Sequence, residues 1–386
     1  MKKLGTIILI AISISIFSQS FSKKYITYRS RFREDFLSNI DNPHKKANYI
    51  PIEFITPKGQ LRYVDETWHI GFYLGVLATE YKLKQIDNDL KGVNETANEI
   101  KNMLITIDRI DSVAETYWGK KADLNGYFIR SDVEKKPTSM SQDQVWCLYY
   151  GFRLIKEFVD DTVIVKHTQD ITKRILYAFY PVVKEKKHKN KRRWSIITPD
   201  NNVYQKNIEI SVTKYAFAKI ASFIVDSNLY PKGSNNIWAR FLFSASRARI
   251  YHKFIMRKHT HMYNTYGVTD LTVLAMPKKA LKYSLKSEKT VTKYFPDGAF
   301  AHLPLTASLL YGGKVPHNRE YYQKVLDSAP MEGPCFTAAS PWNTINLIAC
   351  PWQVNSKGRY NGLDYLLLHN LVKLYFNNKN NNFSTK

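Results

Sequence analysis

Two aspartates, Asp132 and Asp143, bracket the most distinctive stretch of this 386-residue chain. Upstream, Asn125-Gly126-Tyr127-Phe128-Ile129-Arg130-Ser131-Asp132 reads as an aromatic loop that carries one carboxylate. Downstream, Asp143 falls in the first turn of a predicted helix, where the partial positive charge of the helix end favours a carboxylate. Asp65 and Glu66 stand at another loop–helix junction, as do Asp297 and Asp364. Paired carboxyls can cleave a glycosidic bond: one, protonated, assists the leaving oxygen, and the other, ionised, activates water or attacks carbon. Asp132 and Asp143 are the preferred acid–base pair, with Asp65 or Glu66 in support. A carboxylate at such a junction also serves simply to cap its helix.

Polar and aromatic side chains near these junctions suit a sugar. Gln144, His69 and Asn343 are placed to hydrogen-bond hydroxyls. Trp68, Tyr127, Trp146, Trp342 and Trp352 offer flat rings for the C–H face of a pyranose, with the loop residues Trp342 and Trp352 favoured. A second constellation, His259, His261, Tyr263 and Asn264, suits β-elimination from a uronate, in which a polar group neutralises the carboxylate and Tyr or His removes a proton. His259 and His261, two residues apart, do not share a helix face, which argues against metal ligation. The chain carries no Gly-rich phosphate loop, no His-Glu-x-x-His and no Gly-x-Ser-x-Gly, so neither metal nor cofactor is expected.

The elements that must position these residues are helical. From Asn94 to Trp118 apolar residues recur at three–four spacing, predicting a helix with one buried stripe, capped at Asn94 and stopped at Gly119. Asp65 to Ile86 is apolar around more of its circumference and predicts an inner helix packed on several sides. A third helix over 141–160 starts with Ser141 three residues before Gln144, the spacing of a capping box. Further helices are predicted near 167–180, 208–227, 236–257, 264–284, 300–311, 318–328 and 362–376, with one short strand near Trp194 to Thr198. The fold class is all-α, with long loops and few or no strands.

Residues 1–22 read as an export signal: Lys2 and Lys3, an apolar run from Leu4 to Phe17, then Ser20-Phe21-Ser22 as small residues for a signal peptidase. The apolar run is shorter than the ~20 residues that span a bilayer, and no cysteine sits where a lipid anchor would attach. The expectation is a secreted or periplasmic protein whose mature chain starts near Lys23. A single domain over 23–386 follows, with an irregular segment at 23–62 and a loose tail at 377–386. Losing Lys2 and Lys3 lowers the net charge from +24 to +22, a field that attracts acidic polysaccharide or an anionic envelope surface. No nucleic-acid signature accompanies that charge. Cys147 reads as a buried apolar residue, while Cys335 and Cys350 could pair.

An inner helix, an amphipathic outer helix, a long polar loop and another inner helix follow in order, with aromatic loops before the inner helices. This order, with Trp68-His69-Ile70-Gly71, Ser139-Met140-Ser141-Gln142-Asp143-Gln144 and Asn361-Gly362-Leu363-Asp364-Tyr365, resembles the α/α toroid of the six-hairpin glycosidase superfamily. The resemblance implies a toroid of helical hairpins with a central carbohydrate groove. Members are mostly glycoside hydrolases, and related toroids include polysaccharide lyases acting on acidic glycans. Fold alone leaves the reaction open, and a non-catalytic glycan-binding or envelope protein is the rival from another class.

Overall fold

Helices form where the apolar spacing predicts them, and they divide into two kinds. In the computed structural model the residues described are 21–38, 50–52, 54–56, 58–63, 66–118, 124–133, 139–179, 196–200, 203–205, 208–229, 234–249, 271–291, 300–331 and 359–379. Glu66–Ile86 (α2) is buried along almost its whole length, as is Gln142–Phe158 (α4). Leu90–Tyr117 (α3) and Thr162–Ala178 (α5) bury one stripe each, at Ala97, Ile100, Met103, Leu104, Ile107 and Ile110 in α3 and at Ile164, Thr168, Ile171 and Ile175 in α5. Lys23–Arg31 (α1) precedes them and runs into a π turn at Phe32–Phe36. Ile208–Val225 (α6), Ile237–Arg249 (α7), Pro277–Val291 (α8), His302–Tyr311 (α9), Arg319–Asp327 (α10) and Leu363–Lys379 (α11) follow. The protein is all-α in class.

The inner helices run parallel. Along α2 and α4, Trp68 meets Gln144, Gly71 meets Cys147, and Gly75 meets Tyr150 and Leu154, so the contacts climb both helices in the same direction. Glycine makes this approach close: a Cβ on Gly71 would lie 2.1 Å from the backbone of Cys147, and one on Gly151 2.3 Å from the Gly71 carbonyl oxygen. Helix α11 packs on the other side of α2, where Asn370 Nδ2 donates to Val76 O and Thr79 Oγ1, both at 3.2 Å. Helix α6 packs on α4, and α9 on α11. Successive inner helices point the same way because an outer helix returns the chain between them, α3 between α2 and α4 and α5 between α4 and α6.

Among the described residues the strands are two or three residues long and form two pairs and one three-stranded sheet. Leu37–Ser38 (β1) pairs with Ile50–Pro51 (β2), and Ile196–Ile197 (β5) with Val203–Gln205 (β6). Phe54–Ile55 (β3) lies antiparallel between Leu61–Arg62 (β4) and Arg359–Tyr360 (β7), which joins the start of the body to its last helix. No helix among the described residues is long and apolar enough to cross a membrane.

Several local expectations shift. Helix α3 starts at Leu90, capped by Asp89, whose side chain accepts the Gly92 N–H at 2.9 Å, rather than at Asn94. Segment 23–62, expected to be irregular, opens with α1. Segment 264–284 is not one helix among its described residues: 271–275 are helical, Met276 interrupts and Pro277 begins α8, where a proline suits a first turn. Helix α11 extends to Lys379, past the expected end at 376. Cys147 is buried with a free thiol, whereas Cys335 and Cys350 lie outside the described residues.

Candidate functional site

The parallel inner helices bring their N-terminal turns to one end of the bundle. Gln144 fixes the arrangement: its Oε1 accepts the Trp68 N–H at 2.9 Å and the hydroxyl of Thr67. The Trp68 N–H is one of the first-turn donors that a helix cannot satisfy internally, so Gln144 caps α2 rather than its own helix. The expected capping box is therefore absent, and Ser141 is the N-cap of α4 without a side-chain capping bond. Glu66 and Asp143 consequently stand in the first turns of two adjacent, parallel helices, both carboxylates buried. Asp143 is 9% exposed. Asp364 holds the equivalent place on α11, where it accepts the Tyr365 N–H at 2.8 Å. Gln142, at the start of α4, accepts from Thr213 of α6 at 3.4 Å. The convergent positive ends of these helices favour the ionised carboxylates they carry, and equally an anionic group brought to them.

The loop over 124–133 is built onto the outer helices before it reaches this end. Asp111 of α3 accepts the Gly126 N–H at 2.9 Å and the Asn125 N–H at 3.3 Å. Gly126 has φ of 86°, and a Cβ there would lie 2.1 Å from the backbone of Arg174. Only glycine meets both demands. Arg174 bonds Asp111 at 2.8 Å and also pairs with Asp108, whose other oxygen lies 2.7 Å from His167 Nε2. Burial pushes the Asp111 carboxyl up to about 7, against the charge of Arg174 and the two backbone donors. Burial acts the same way on Asp108, but the hydrogen bonds from His167 and Arg174 outweigh it and hold that carboxyl below its usual range. Farther on, Tyr127 donates to Ser139 Oγ at 2.6 Å, and Arg130 donates to Ser139 O at 3.0 Å and Ser141 Oγ at 3.3 Å. The loop is thereby strapped to the start of α4.

Of the sequence-derived residues, Asp132 takes a different part. Arg109 grips it in a bidentate pair, 2.7 and 3.2 Å, and its side chain is only 1% exposed. Both oxygens are engaged by the guanidinium, so Asp132 braces the loop, and we leave it out of the acid–base pair proposed below. Trp68 and Tyr127 are buried in ring-to-ring packing, Trp68 on Phe72 at 5.9 Å and Tyr127 edge-on to Trp118 at 5.4 Å. They do not offer an open face to a sugar. His69 is fully buried in the first turns of α2. Asp65, Asp297, Trp342, Asn343 and Trp352 lie outside the described residues, as do His259, His261, Tyr263 and Asn264.

Sequence reasoning passed over Gln142, Thr67, Arg130 and Asn361. Asn361 Oδ1 accepts the Leu363 N–H at 3.2 Å and its amide donates to Ile52 O at 3.5 Å, tying the start of α11 to the N-terminal segment. The signal available for them was polar residues at or just before the starts of apolar helices. His302 at the start of α9 is buried beside Phe72 and Tyr150, and burial pushes its imidazole down to about 3. It is neutral and a packing group. No set of metal-binding side chains occurs among the described residues. Comparison with protein-family models, curated proteins and solved structures gave no match.

Proposed function

We propose that this is an exported carbohydrate-active protein, a glycoside hydrolase whose inner helices curl into an α/α toroid. The acid–base carboxyls in this reading are Glu66 and Asp143. One observation carries it: Gln144 locks the first turns of α2 and α4 together, so two buried carboxylates from adjacent parallel helices share one end of the bundle. Side chains held in this way are pre-organised, as acid–base work on a glycosidic bond requires. The parallel course of α2, α4 and α11, and the β3–β7 pairing that returns the last helix to the first, support a ring. A substrate with anionic groups fits the net charge of +24 and the convergent helix ends. That charge is also the reason to keep elimination from an acidic polysaccharide as a second reading.

Digestion of a panel of neutral and acidic polysaccharides tests the proposal. New reducing ends, lost by about a hundredfold or more in Glu66→Gln and in Asp143→Asn with helical signal intact, support hydrolysis by this pair. A rise in ultraviolet absorbance from unsaturated uronates points to elimination instead. Glycan binding without turnover, unchanged in both variants, identifies a non-catalytic binding protein and overturns the proposal.

A further inference from the structure

Helix α7 turns the wrong face outward for a soluble helix. Its buried residues include Ala239 and Phe243, yet Ile237, Trp238 and Phe241 are 79%, 68% and 59% exposed. At 100° per residue these three fall within about 100° of one another, so they form one apolar patch at the start of the helix. Trp238 and Phe241 pack edge to face at 6.0 Å and present themselves as a unit. Few folded proteins leave a Trp and a Phe this open side by side unless something covers them.

The chemistry around the patch indicates what does. Arg240 is exposed on the flank of the same face, its Nε held by Asn235 Oδ1 at 2.9 Å and its guanidinium 6.0 Å from the centre of the Tyr215 ring. Helix α7 itself contains three arginines and no carboxylate. Between Asp226 and Asp270 the sequence places seven lysines and arginines and not one acidic residue, the longest cationic stretch free of carboxylates in the chain. Exposed aromatic rings flanked by the held Arg240 guanidinium, in a protein of net charge +24, match the boundary of an anionic bilayer, where rings enter the headgroup layer and cations meet lipid phosphates. A second copy of this chain would set Arg240 near its own counterpart and bring together two bodies of net charge +24, which disfavours self-association through the patch.

We infer that Ile237, Trp238 and Phe241 form a wedge by which this protein docks peripherally on an anionic lipid surface. The wedge is independent of the carboxylate end of the bundle and stands or falls without the carbohydrate reading. With Arg240 beside them, the rings enter the headgroup region while the rest of the body stays in water.

The test is co-sedimentation of the chain from Phe21 onward with vesicles of equal parts phosphatidylglycerol and phosphatidylethanolamine, or of phosphatidylcholine alone. The expected result is binding to the anionic vesicles, weakened by salt, with brominated lipid quenching tryptophan fluorescence. The pair Trp238→Ser and Phe241→Ser loses about tenfold or more in partitioning while its circular dichroism and melting temperature match the parent, because both side chains are exposed. Trp238→Phe keeps most of the binding but loses the quenching, which places this ring in the lipid. Equal binding to neutral vesicles, no binding to either, or undiminished binding by the double variant overturns the proposal. So does a concentration-dependent dimer in sedimentation equilibrium that the double variant abolishes, since the patch is then covered by a second copy.

Discussion

Two buried clusters of carboxylates share helix α2 and are built on opposite plans: Glu66 and Asp143 at the starts of α2 and α4, and Glu80 and Glu99 farther along α2 and on the outer helix α3. Farther along α2, Arg29 of α1 reaches Glu80 at 2.8 Å, Glu99 at 2.6 Å and the Tyr73 hydroxyl at 2.7 Å. Tyr25 donates to the same Glu80 at 2.8 Å, and Lys84 and Arg33 add a cation to each glutamate. At the N-terminal end, Asp143 forms no ion pair among the described residues, and the helix termini supply the positive field. The first arrangement to be described, around Arg29, keeps its carboxylates charged within the protein interior. A guanidinium that engages both oxygens, as Arg109 does with Asp132, holds a carboxylate in place by charge-assisted hydrogen bonds, whereas Asp143 stands at a helix start without such a partner among the described residues. Charge pairing is what divides the acidic residues that brace this fold from the pair proposed above as acid and base.

The largest effect that would break this division is at Arg29. Arg29→Met leaves two glutamates buried without their shared cation and is expected to cost about 3–5 kcal/mol, read from urea unfolding. Glu66→Gln and Asp143→Asn should stay within about 1 kcal/mol of the parent in the same assay. If all three cost the same, the two clusters are not different in kind. The acid limb of the stability curve sharpens the point. Burial opposes ionisation of Glu80 and Glu99, but Arg29, with Lys84 on one and Arg33 on the other, outweighs it and holds both carboxyls below the ordinary 4.5. A depressed carboxyl contributes stability that is present above its unfolded value and is lost as pH falls through the folded one. The parent should therefore weaken progressively below about pH 4.5, and Arg29→Met should flatten that slope.

A second expected effect couples packing to the site. Gly71→Ala places a methyl 2.1 Å from the Cys147 backbone, and neither helix has a side chain that can swing aside there. The helices must separate, at about 1–3 kcal/mol or more. Because Gln144 bonds to Trp68 only three residues before Gly71, the same displacement should pull that bond apart. Turnover in the assay proposed above should then fall by more than the stability loss accounts for, with KM and kcat measured where the variant is still fully folded.

These two cases also indicate what a sequence can hold. Helix α2 was legible as inner because apolar residues surround it, and α3 as outer because they line one side. The first-turn position of Asp143 was legible from Ser141 and the apolar run that follows. The partner of Gln144 was not: a glutamine at that position can reach back to its own cap or across to another helix, and Trp68 is 76 residues away in sequence. Asp132 was equally ambiguous, since its guanidinium comes from Arg109 on a different helix. Arg109 did leave a trace, as a cation set between Ile107 and Ile110 on a face that is otherwise buried. Asn94 reads as a cap from the periodic run that follows it, yet the helix begins earlier, where the Asp89 side chain accepts the Gly92 N–H. Local periodicity thus sets which face is buried, while the choice of polar partner is made only when distant helices meet.

The smallest effect concerns the N-terminus and sets a local contact against the buried Arg29 network that holds the same helix. Ser22 accepts the Tyr25 N–H at 3.1 Å and is the N-cap of α1, and the Phe21 ring stacks on Tyr25 at 4.9 Å. Both residues fall within the segment that a leader ending at residue 22 would remove. Ser18-Gln19-Ser20 offers the same small residues two positions earlier, and a chain starting at Phe21 keeps the cap and the stack. Ser22→Ala should cost about 1 kcal/mol, the ordinary worth of a cap. A chain starting at Lys23 should lose at least as much relative to one starting at Phe21. Both losses should be well under that of Arg29→Met, because Arg29 still anchors the helix to α2 and α3. Urea unfolding of the two start sites and of both point variants gives the comparison. A Lys23 start as stable as the Phe21 start would assign the hold on α1 to Arg29 and the other contacts from Lys24, Tyr25 and Tyr28, and leave Ser22 and Phe21 without a structural part.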